Sequence, residues 1–516
     1  MAASPREDRR HREVTAFLLE AHARVLTEQD GAAFAKRVAE IRVLAERLRA
    51  RYASADERKL VAMLRKLSTR ELREIARAFT LLFWLLNLAE ERHVEQTRKD
   101  ASTAGFRTLF EKLSRAGVPP ERVADRIEAL QATIVLTAHP TEALRWSIRE
   151  TLDRIDDLLT RREEVGSGAL RRSIEEEILG EITGLWLSTT LRTRQPTPID
   201  EVRYAIHVLS DVFVHAVPAV SSRLVAAYHD VFARAPGRVL ERVDAAARRS
   251  LRIGSWMGGD RDGNPFVTAE MTAEALRLYR EAILRHYLEQ IDPLIDRLMI
   301  SDRRVPVSQA LEESIVRDLK QLPALAQRIE GRNSSERYRV KLNAIAARLE
   351  QTIDELRSSE AAGTSGGYPD AAGLRADLEL IRDSLIENGG ERLVAGSLQS
   401  FLDALDVFGF DFVALDVRQN QSKHRLASAE LICPVEGPLD ELPVEDQAAF
   451  LEEVIARKDA IPIPAAGLGE EAEEVLATLR LVAGLPRPPA VEDLVISNTE
   501  DAIPVLELLA LCRQVG

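Results

Sequence analysis

Residues 131–142 read Gln-Ala-Thr-Ile-Val-Leu-Thr-Ala-His-Pro-Thr-Glu, and this stretch joins a short apolar run to a polar turn. The β-branched run at 131–138 is typical of a buried strand. Pro140 suits the first turn of the helix that follows, and the amphipathic pattern of that helix continues to about Glu164. The stretch therefore predicts a strand–turn–helix unit with His139 at the carboxyl end of the strand.

The same unit recurs three more times along the chain. We predict a second strand leading into Gly254, a third at residues 410–417 followed by Arg418, and a fourth at 493–497. A helix from Ala502 to Gln514 follows the fourth strand, and long helical stretches separate all four. Active-site groups of a parallel α/β barrel lie at the carboxyl ends of its strands. Four strands that each end in polar residues therefore predict about half of an eight-stranded barrel.

The predicted fold is mainly α-helical with short parallel strands, as an incomplete (β/α)8 barrel of about four strands embedded in long helices. Apolar residues recur at three- and four-residue spacing from 9 to 130, which predicts helices. Ser68 and Glu71 fit a capping box at the start of one of them. We therefore assign residues 1–130 to a helical N-terminal region. Residues 131–516 would form the first half of a barrel with long helical insertions.

Composition excludes several classes of protein. The chain has 516 residues, of which 45% are hydrophobic and 30% charged, as in globular proteins. Its net charge of -13 argues against a nucleic-acid binder. Cys433 and Cys512 are too far apart in sequence to suggest a disulfide framework or a paired-cysteine metal site. The most hydrophobic run, at 79–89, is shorter than the roughly 20 residues of a membrane span. We expect a cytoplasmic protein that binds neither membrane nor nucleic acid.

Residues 254–265, Gly-Ser-Trp-Met-Gly-Gly-Asp-Arg-Asp-Gly-Asn-Pro, form the densest polar motif of the chain. Glycine permits close approach to the main chain, aspartate and asparagine favour turns, and arginine offers a planar fork to phosphate or carboxylate. The segment is not a calcium loop, because the required glycine would fall at Pro265, and it lacks the Gly-Lys-Ser/Thr of a phosphate-binding loop. It predicts a rigid polar loop at a site, with a purely structural turn as the alternative.

A histidine and three arginines at strand ends or on the helix that follows could also carry chemistry. A lone histidine such as His139 is more often a core residue, but its place at a strand–helix junction and its near-neutral pKa suit proton transfer beside an anion. Arg145 and Arg149 are four residues apart and are commonly a solvated helix face. Arg418 follows a strand ending in Asp416, so it forms either a buried aspartate–arginine pair or an anion-binding site. The shared position of these residues favours one common site.

Three segments strongly resemble the phosphoenolpyruvate carboxylase family. They are residues 135–143, 254–265 and 408–419, and the first two are highly specific motifs. Residues 79–93 and 196–203 are also similar to segments of that family, and the resemblance is colinear over essentially the whole chain. It implies a mostly helical enzyme built around a (β/α)8 barrel. With magnesium, that enzyme converts phosphoenolpyruvate and bicarbonate to oxaloacetate and phosphate, which replenishes the tricarboxylic acid cycle.

The resemblance also implies roles for individual residues. His139 would be the essential base that deprotonates carboxyphosphate, which forms when bicarbonate attacks the phosphoryl group. Arg418 matches the arginine that would hold phosphate or bicarbonate, and Arg145 matches the first of two arginines in the histidine motif. Fixed cationic donors and a metal suit a transition state rich in oxyanions. The residues that would order the pocket are Asp260, Arg261 and Asn264.

The sequence departs from the family pattern in four places, which indicates a divergent member. Trp146 stands in place of the second arginine, Asn420 in place of a glutamate, Asn498 in place of a methionine, and Thr189-Thr190 in place of an acidic stretch.

Family chains are nearly twice as long as these 516 residues. The segment without a counterpart here would carry the magnesium-binding carboxylates, an essential lysine, a Gly-Arg-Gly-Gly loop and the aspartate inhibitor site. We therefore expect a truncated or split chain that is inactive alone. Its partners would be phosphoenolpyruvate, bicarbonate and either a second-half polypeptide or further copies of itself. The alternatives are a non-catalytic remnant that binds anions or regulates a full-length enzyme, and a helical scaffold with a vestigial site.

Overall fold

The structure is a computed structural model, and it describes residues 5–102, 104–137, 146–189, 197–262, 264, 266–329, 335–358, 366–432, 442–457, 461, 467–485 and 490–515. Among the residues discussed above, the following lie outside these ranges: His139, Pro140, Arg145, Thr190, Pro265 and Cys433. The chain divides into two compact units, Met1–Leu109 with His139–Gln195, and Phe110–Ala138 with Pro196–Gly516. The predicted assignment of residues 1–130 and 131–516 to two regions stays a prediction.

Helices make up most of both units. Those of the first unit are α1 Pro5–Asp30, α2 Ala32–Ala50, α3 Ser54–Arg65, α4 Thr69–Ser102, α7 Trp146–Glu164 and α8 Ala169–Leu187, and α5 Ala104–Arg115 begins in the first unit and ends in the second. Those of the second unit are α6 Pro120–Glu128, α9 Pro198–Val208, α10 Val214–Val231, α11 Gly237–Ser250, α12 Ala269–Arg297, α13 Gln309–Gln321, α14 Pro323–Ile329, α15 Arg337–Ser358, α16 Ala371–Glu387, α17 Glu391–Leu393, α18 Gln399–Phe408, α19 Gln421–Leu431, α20 Val444–Ala456, α21 Glu470–Ala483 and α22 Ile503–Val515. Two π-helical turns, Leu209–Phe213 and Val394–Leu398, precede α10 and α18.

The first unit packs α1, α4, α7 and α8 around an apolar core. Leu18, Leu85 and Ile155 are fully buried there, as the three- and four-residue spacing of apolar side chains predicts. The predicted capping box is confirmed at the start of α4. The Ser68 amide donates to Glu71 Oε2 at 2.9 Å, and the Glu71 amide donates to Ser68 Oγ at 3.3 Å.

The described residues of the second unit contain five short strands, all of them parallel to their neighbours. They are β1 Ala132–Leu136, β2 Leu251–Ser255, β3 Ala414–Leu415, β4 Val417–Asn420 and β5 Leu494–Ser497. Pairing follows the order β1-β2-β3 in one sheet and β4-β5 in the other, and only Asp416 separates β3 from β4. The predicted mainly helical fold with short parallel strands is therefore confirmed.

The predicted third strand, at residues 410–417 with Arg418 after it, is wrong at its start, in its continuity and at its end, because β4 continues through Arg418 to Asn420. Phe412 has φ 68°, a left-handed conformation that is uncommon for residues other than glycine, and its amide donates to the Phe408 carbonyl at 3.1 Å. These residues therefore turn at the end of α18, and pairing begins only at Ala414. Phe410 and Phe412 are nevertheless both buried, so their apolar alternation resembled that of a strand.

The helix α12 lies at the centre of the second unit. Its residues Tyr279, Ile283, Tyr287 and Ile291 recur every fourth position and are fully buried, so one stripe of the helix faces the core.

The stretch Pro198–Val231 is long and apolar enough to cross a membrane by length and composition alone. Core helices pass the same test, and this stretch contributes Val202, Leu209 and Val217 to the same core, so it is weak evidence for a span.

Candidate active site at the carboxyl ends of the strands

The polar motif leaves β2 at its carboxyl end and is bonded to the end of β1 and to β4. The Trp256 amide donates to the Leu136 carbonyl at the end of β1 at 2.8 Å. The Arg418 amide donates to the Gly259 carbonyl at 3.0 Å, and the Arg261 amide donates back to the Arg418 carbonyl at 2.8 Å. These backbone bonds place the motif and Arg418 side by side.

Two glycines of the motif are required by close packing. A Cβ atom on Gly259 would lie 2.2 Å from the Asp416 carbonyl oxygen. Gly258 has φ 89°, and a Cβ atom there would lie 2.4 Å from the Cβ of Ala275 in α12. The close approach of main chain predicted from the glycine content therefore occurs, with β4 on one side and α12 on the other.

Arg418 pairs with two aspartates of the motif. Its Nη1 donates to Asp260 Oδ2 at 3.1 Å and its Nη2 donates to Asp262 Oδ2 at 2.7 Å, and all three side chains are partly exposed. The neighbouring aspartate in sequence, Asp416, is not its partner, because Asp416 Oδ2 accepts from Trp256 Nε1 at 2.9 Å. The guanidinium carbon of Arg418 lies 4.8 Å from the centre of the Trp256 ring, within the range of a cation–π contact.

Arg261 is buried and holds the motif to α12. Its Nη1 donates to the Gly259 carbonyl at 3.1 Å and its Nη2 donates to Thr272 Oγ1 at 2.7 Å. The Thr272 hydroxyl in turn donates to the Gly258 carbonyl at 2.7 Å. Burial lowers the pKa of Arg261 to about 10, against the opposing charges of Glu474 and Asp260. This guanidinium therefore supports the loop from within.

Comparison with known proteins assigns the chain to a family. The model of the family described as phosphoenolpyruvate carboxylase matches residues 12–516. The chain belongs to the phosphoenolpyruvate carboxylase family. Its relatives include a phosphoenolpyruvate carboxylase of Azorhizobium caulinodans, 31% identical over 95% of this chain and 53% of the relative. Another is that of Synechocystis sp., 31% identical over 82% of this chain and 42% of the relative, and a third is that of Roseiflexus castenholzii, 29% identical over 95% and 54%.

The chain thus spans about half the length of the curated relatives that it matches. Phosphoenolpyruvate carboxylases are carboxy-lyases, so the family to which the chain belongs is one of enzymes.

The structure brings together only some of the residues that the family resemblance suggests. Asp260, Arg261 and Arg418 are in contact, as described above. Asn264 belongs to the same loop, where its Oδ1 accepts from the Phe266 amide at 3.2 Å, but among the described contacts it does not bond to Arg418. His139 and Arg145 lie outside the described residues, so their positions relative to Arg418 stay predictions.

Two side chains that contact Arg418, Asp262 and Trp256, were not singled out as site residues from the sequence. Both belong to the motif at residues 254–265, so the density of polar residues and glycines in that motif could have pointed to them. The Trp256 ring lies over the Arg418 guanidinium. Asn420, where the family commonly has glutamate, donates from Nδ2 to Asp262 Oδ1 at 3.3 Å. Glu201, in the first turn of α9, is partly buried, and burial raises its pKa with a further contribution from Asp200 and Asp260.

The described residues do not form a magnesium site. They contain no group of three or more histidine, cysteine, aspartate or glutamate side chains placed to hold a metal ion. The carboxylates of the motif, Asp260 and Asp262, each form an ion pair with Arg418.

Proposed function

We propose that this chain supplies the histidine-bearing half of a phosphoenolpyruvate carboxylase active site, in an enzyme that converts phosphoenolpyruvate and bicarbonate to oxaloacetate and phosphate. The observation that most supports the proposal is the position of Arg418. It lies within the parallel strand β4, is paired with Asp260 and Asp262 of the loop that leaves the carboxyl end of β2, and is partly exposed. Loops at the carboxyl ends of strands carry the catalytic residues of α/β barrels.

Arg418 would bind phosphate or bicarbonate with the donors that it does not use for the loop. A guanidinium has five N–H donors, and the contacts with Asp260 and Asp262 use two of them. The cluster of one arginine and two aspartates carries a formal charge of about −1 by this count. A trianionic substrate therefore needs further cations, and Arg145 is the one that the family motif offers.

The chemistry that we propose begins when a bicarbonate oxygen attacks the phosphorus of phosphoenolpyruvate. The bond from phosphorus to the enol oxygen breaks, which gives carboxyphosphate and the enolate of pyruvate. His139 accepts the carboxyl proton of carboxyphosphate, whose carbon–oxygen bond then breaks to release carbon dioxide and phosphate. The enolate carbon attacks carbon dioxide and forms oxaloacetate. Asp260, Arg261 and Asn264 keep the loop in place during these steps.

The five strands would form the first half of the barrel, within residues 131–516, after a helical region at residues 1–130. Parallel sheets are usually covered on both faces, yet Ile134 and Val135 of β1 are 43% and 37% exposed. These exposed apolar side chains support a second-half polypeptide, or further copies of the chain, packing against the sheet.

Magnesium would be bound by residues outside the described ranges. The 516 residues alone would be inactive, and the enzyme would work in the cytoplasm.

One observation favours the alternative of a scaffold or anion-binding remnant without catalysis. Both ends of the Arg418 guanidinium already bond to carboxylates, which is also how an arginine with a purely structural role would hold a loop.

Titration of the chain with phosphoenolpyruvate separates these possibilities. If Arg418 binds the substrate, Asp262→Asn frees one of its donors and removes one negative charge, so affinity should rise by several-fold. Arg418→Gln should abolish binding, whereas Arg252→Gln, which changes another paired arginine at the opposite end of β2, should not. If Asp262→Asn weakens binding as much as Arg418→Gln, or if the chain does not bind phosphoenolpyruvate at all, the scaffold alternative is favoured.

A further inference from the structure

A cavity lies at the amino-terminal ends of the strands, on the side opposite the candidate active site. Its volume is about 270 Å³, close to the lower end of the roughly 300–1,000 Å³ of small-molecule pockets. The start of β2, the end of α18, the turn before β3 and the segment before β5 line it. Most of the lining is apolar, with Ile253, Phe408 and Phe412 among the contributing side chains.

Two of the arginines that line this cavity are already paired. The Nε of Arg248 lies 2.9 Å from Asp403 Oδ1. The Nη1 of Arg252 donates to both carboxylate oxygens of Glu492, at 2.7 and 2.8 Å. Their charges are therefore balanced without a ligand, and the third arginine, Arg249, is exposed.

Asp411, by contrast, is an acidic residue of the lining that no described arginine pairs with. Among the residues that the structure describes, its carboxylate forms neither a hydrogen bond nor an ion pair. Burial raises the pKa of Asp411, and the field of Arg280 offsets this only in part. The Arg280 guanidinium lies instead 5.6 Å from the ring centre of Phe410. Asp411 is partly buried, so its carboxylate carries a desolvation cost that an added cation would relieve.

The turn that presents Asp411 is held in a strained conformation. Phe412 has φ 68°, and its ring packs edge-on against Phe408 with the ring centres 5.5 Å apart. The Tyr287 hydroxyl anchors the turn by donating to the Gly409 carbonyl at 2.7 Å. Such strain persists only where the surroundings impose it, and it is frequent at ligand sites. Here it places Asp411 between the buried residues Phe410 and Phe412 along the chain, in a cavity lining that also includes Phe408.

We propose that this cavity binds a small organic ammonium ion that carries an apolar substituent. The ammonium group donates to the Asp411 carboxylate, and the substituent packs against Phe408, Phe412 and Ile253. The site is separate from the candidate active site and does not depend on the proposed carboxylase function.

Isothermal titration of the 516-residue chain with three probes of similar shape tests this proposal: n-butylammonium, n-butanol and n-butyrate. We expect one n-butylammonium ion to bind each chain, at least about tenfold more tightly than either other probe, because only the cation pairs with Asp411. Asp411→Asn keeps the shape of the side chain and should remove this preference. Glu391→Gln, which changes an exposed acid outside the cavity lining, should keep it.

The proposal is overturned if n-butylammonium shows no saturable binding, or if n-butyrate or n-butanol binds as tightly. It is also overturned if Asp411→Asn retains the preference for the cation. The comparison of probes uses the unaltered chain, so it remains decisive even if the variant does not fold.

Discussion

Replacing Gly259 by alanine should separate the motif loop from β4. The new Cβ would lie 2.2 Å from the Asp416 carbonyl oxygen, whereas ordinary contacts begin near 3.4 Å, so the two segments must move apart by about 1 Å. The obstacle is backbone and cannot rotate away. Two hydrogen bonds join the segments at this point, from the Arg418 amide to Gly259 and from the Arg261 amide to Arg418.

The cost of Gly259→Ala follows from these contacts. Overpacking costs about 1–3 kcal/mol, and weakening two hydrogen bonds adds about 1–2 kcal/mol. We therefore expect a local destabilisation of about 2–5 kcal/mol. Hydrogen exchange of the Arg261 and Arg418 amides measures it directly, because their protection should fall by a factor of about 30 or more.

Gly184→Ala is the matched control for this change. Gly184 lies in α8, and a Cβ atom there would meet nothing within 4 Å. Alanine should stabilise that helix by about 0.5–1 kcal/mol through its higher helix propensity. Unchanged protection of the two amides in Gly259→Ala would refute the reasoning, since it would mean that the loop tolerates a side chain at its closest approach to β4.

Two other perturbations test the packing and the titration of the second unit. Lys341 is fully buried and its Nζ lies 2.6 Å from both Asp318 Oδ2 and Asp377 Oδ1, so Lys341→Met should lower the free energy of unfolding by about 3–5 kcal/mol. Lys423→Met, which removes an exposed pair with Glu471, should cost at most about 1 kcal/mol, and equal effects in urea denaturation would contradict the account. Burial lowers the pKa of His424 to about 4 from its ordinary 6.5. The folded chain binds this proton more weakly than the unfolded chain, so stability is complete above pH 6.5 and falls by about 3 kcal/mol as the pH drops towards 4. His424→Gln should reduce this loss of stability at low pH. If the free energy of unfolding of the variant falls with pH as steeply as that of the unaltered chain, His424 is not the group responsible.

The sequence predicted the strand positions well because each strand is a compact apolar run beside a polar turn. β1, β2 and β5 lie where those runs occur. The third run was misread because the alternation of Phe410 and Phe412 has the same pattern in a strand and in a turn that buries both rings. Only the tertiary packing of Phe412 against Phe408 distinguishes them, and that contact leaves no local signal.

Side-chain pairing was harder to predict than strand position. The nearest acid to Arg418 in sequence is Asp416, yet its partners are Asp260 and Asp262, more than 150 residues away. The register of parallel strands decides that pairing. Similarly, Lys341, Asp318 and Asp377 are on three different helices and would pass for solvated helix faces until those helices are packed together.

We infer that this chain carries the histidine and arginine half of a carboxylase site. The most direct measurement is oxaloacetate formation, followed through malate dehydrogenase and NADH, in a mixture with the remaining half of the Azorhizobium caulinodans relative. Phosphoenolpyruvate, bicarbonate and magnesium would be present, and assembly of the two chains would be verified by size-exclusion chromatography. We predict no turnover by this chain alone, turnover by the assembled mixture, and none when the chain carries His139→Asn. Turnover by the chain alone, an assembled mixture without activity, or full activity with His139→Asn would contradict the account.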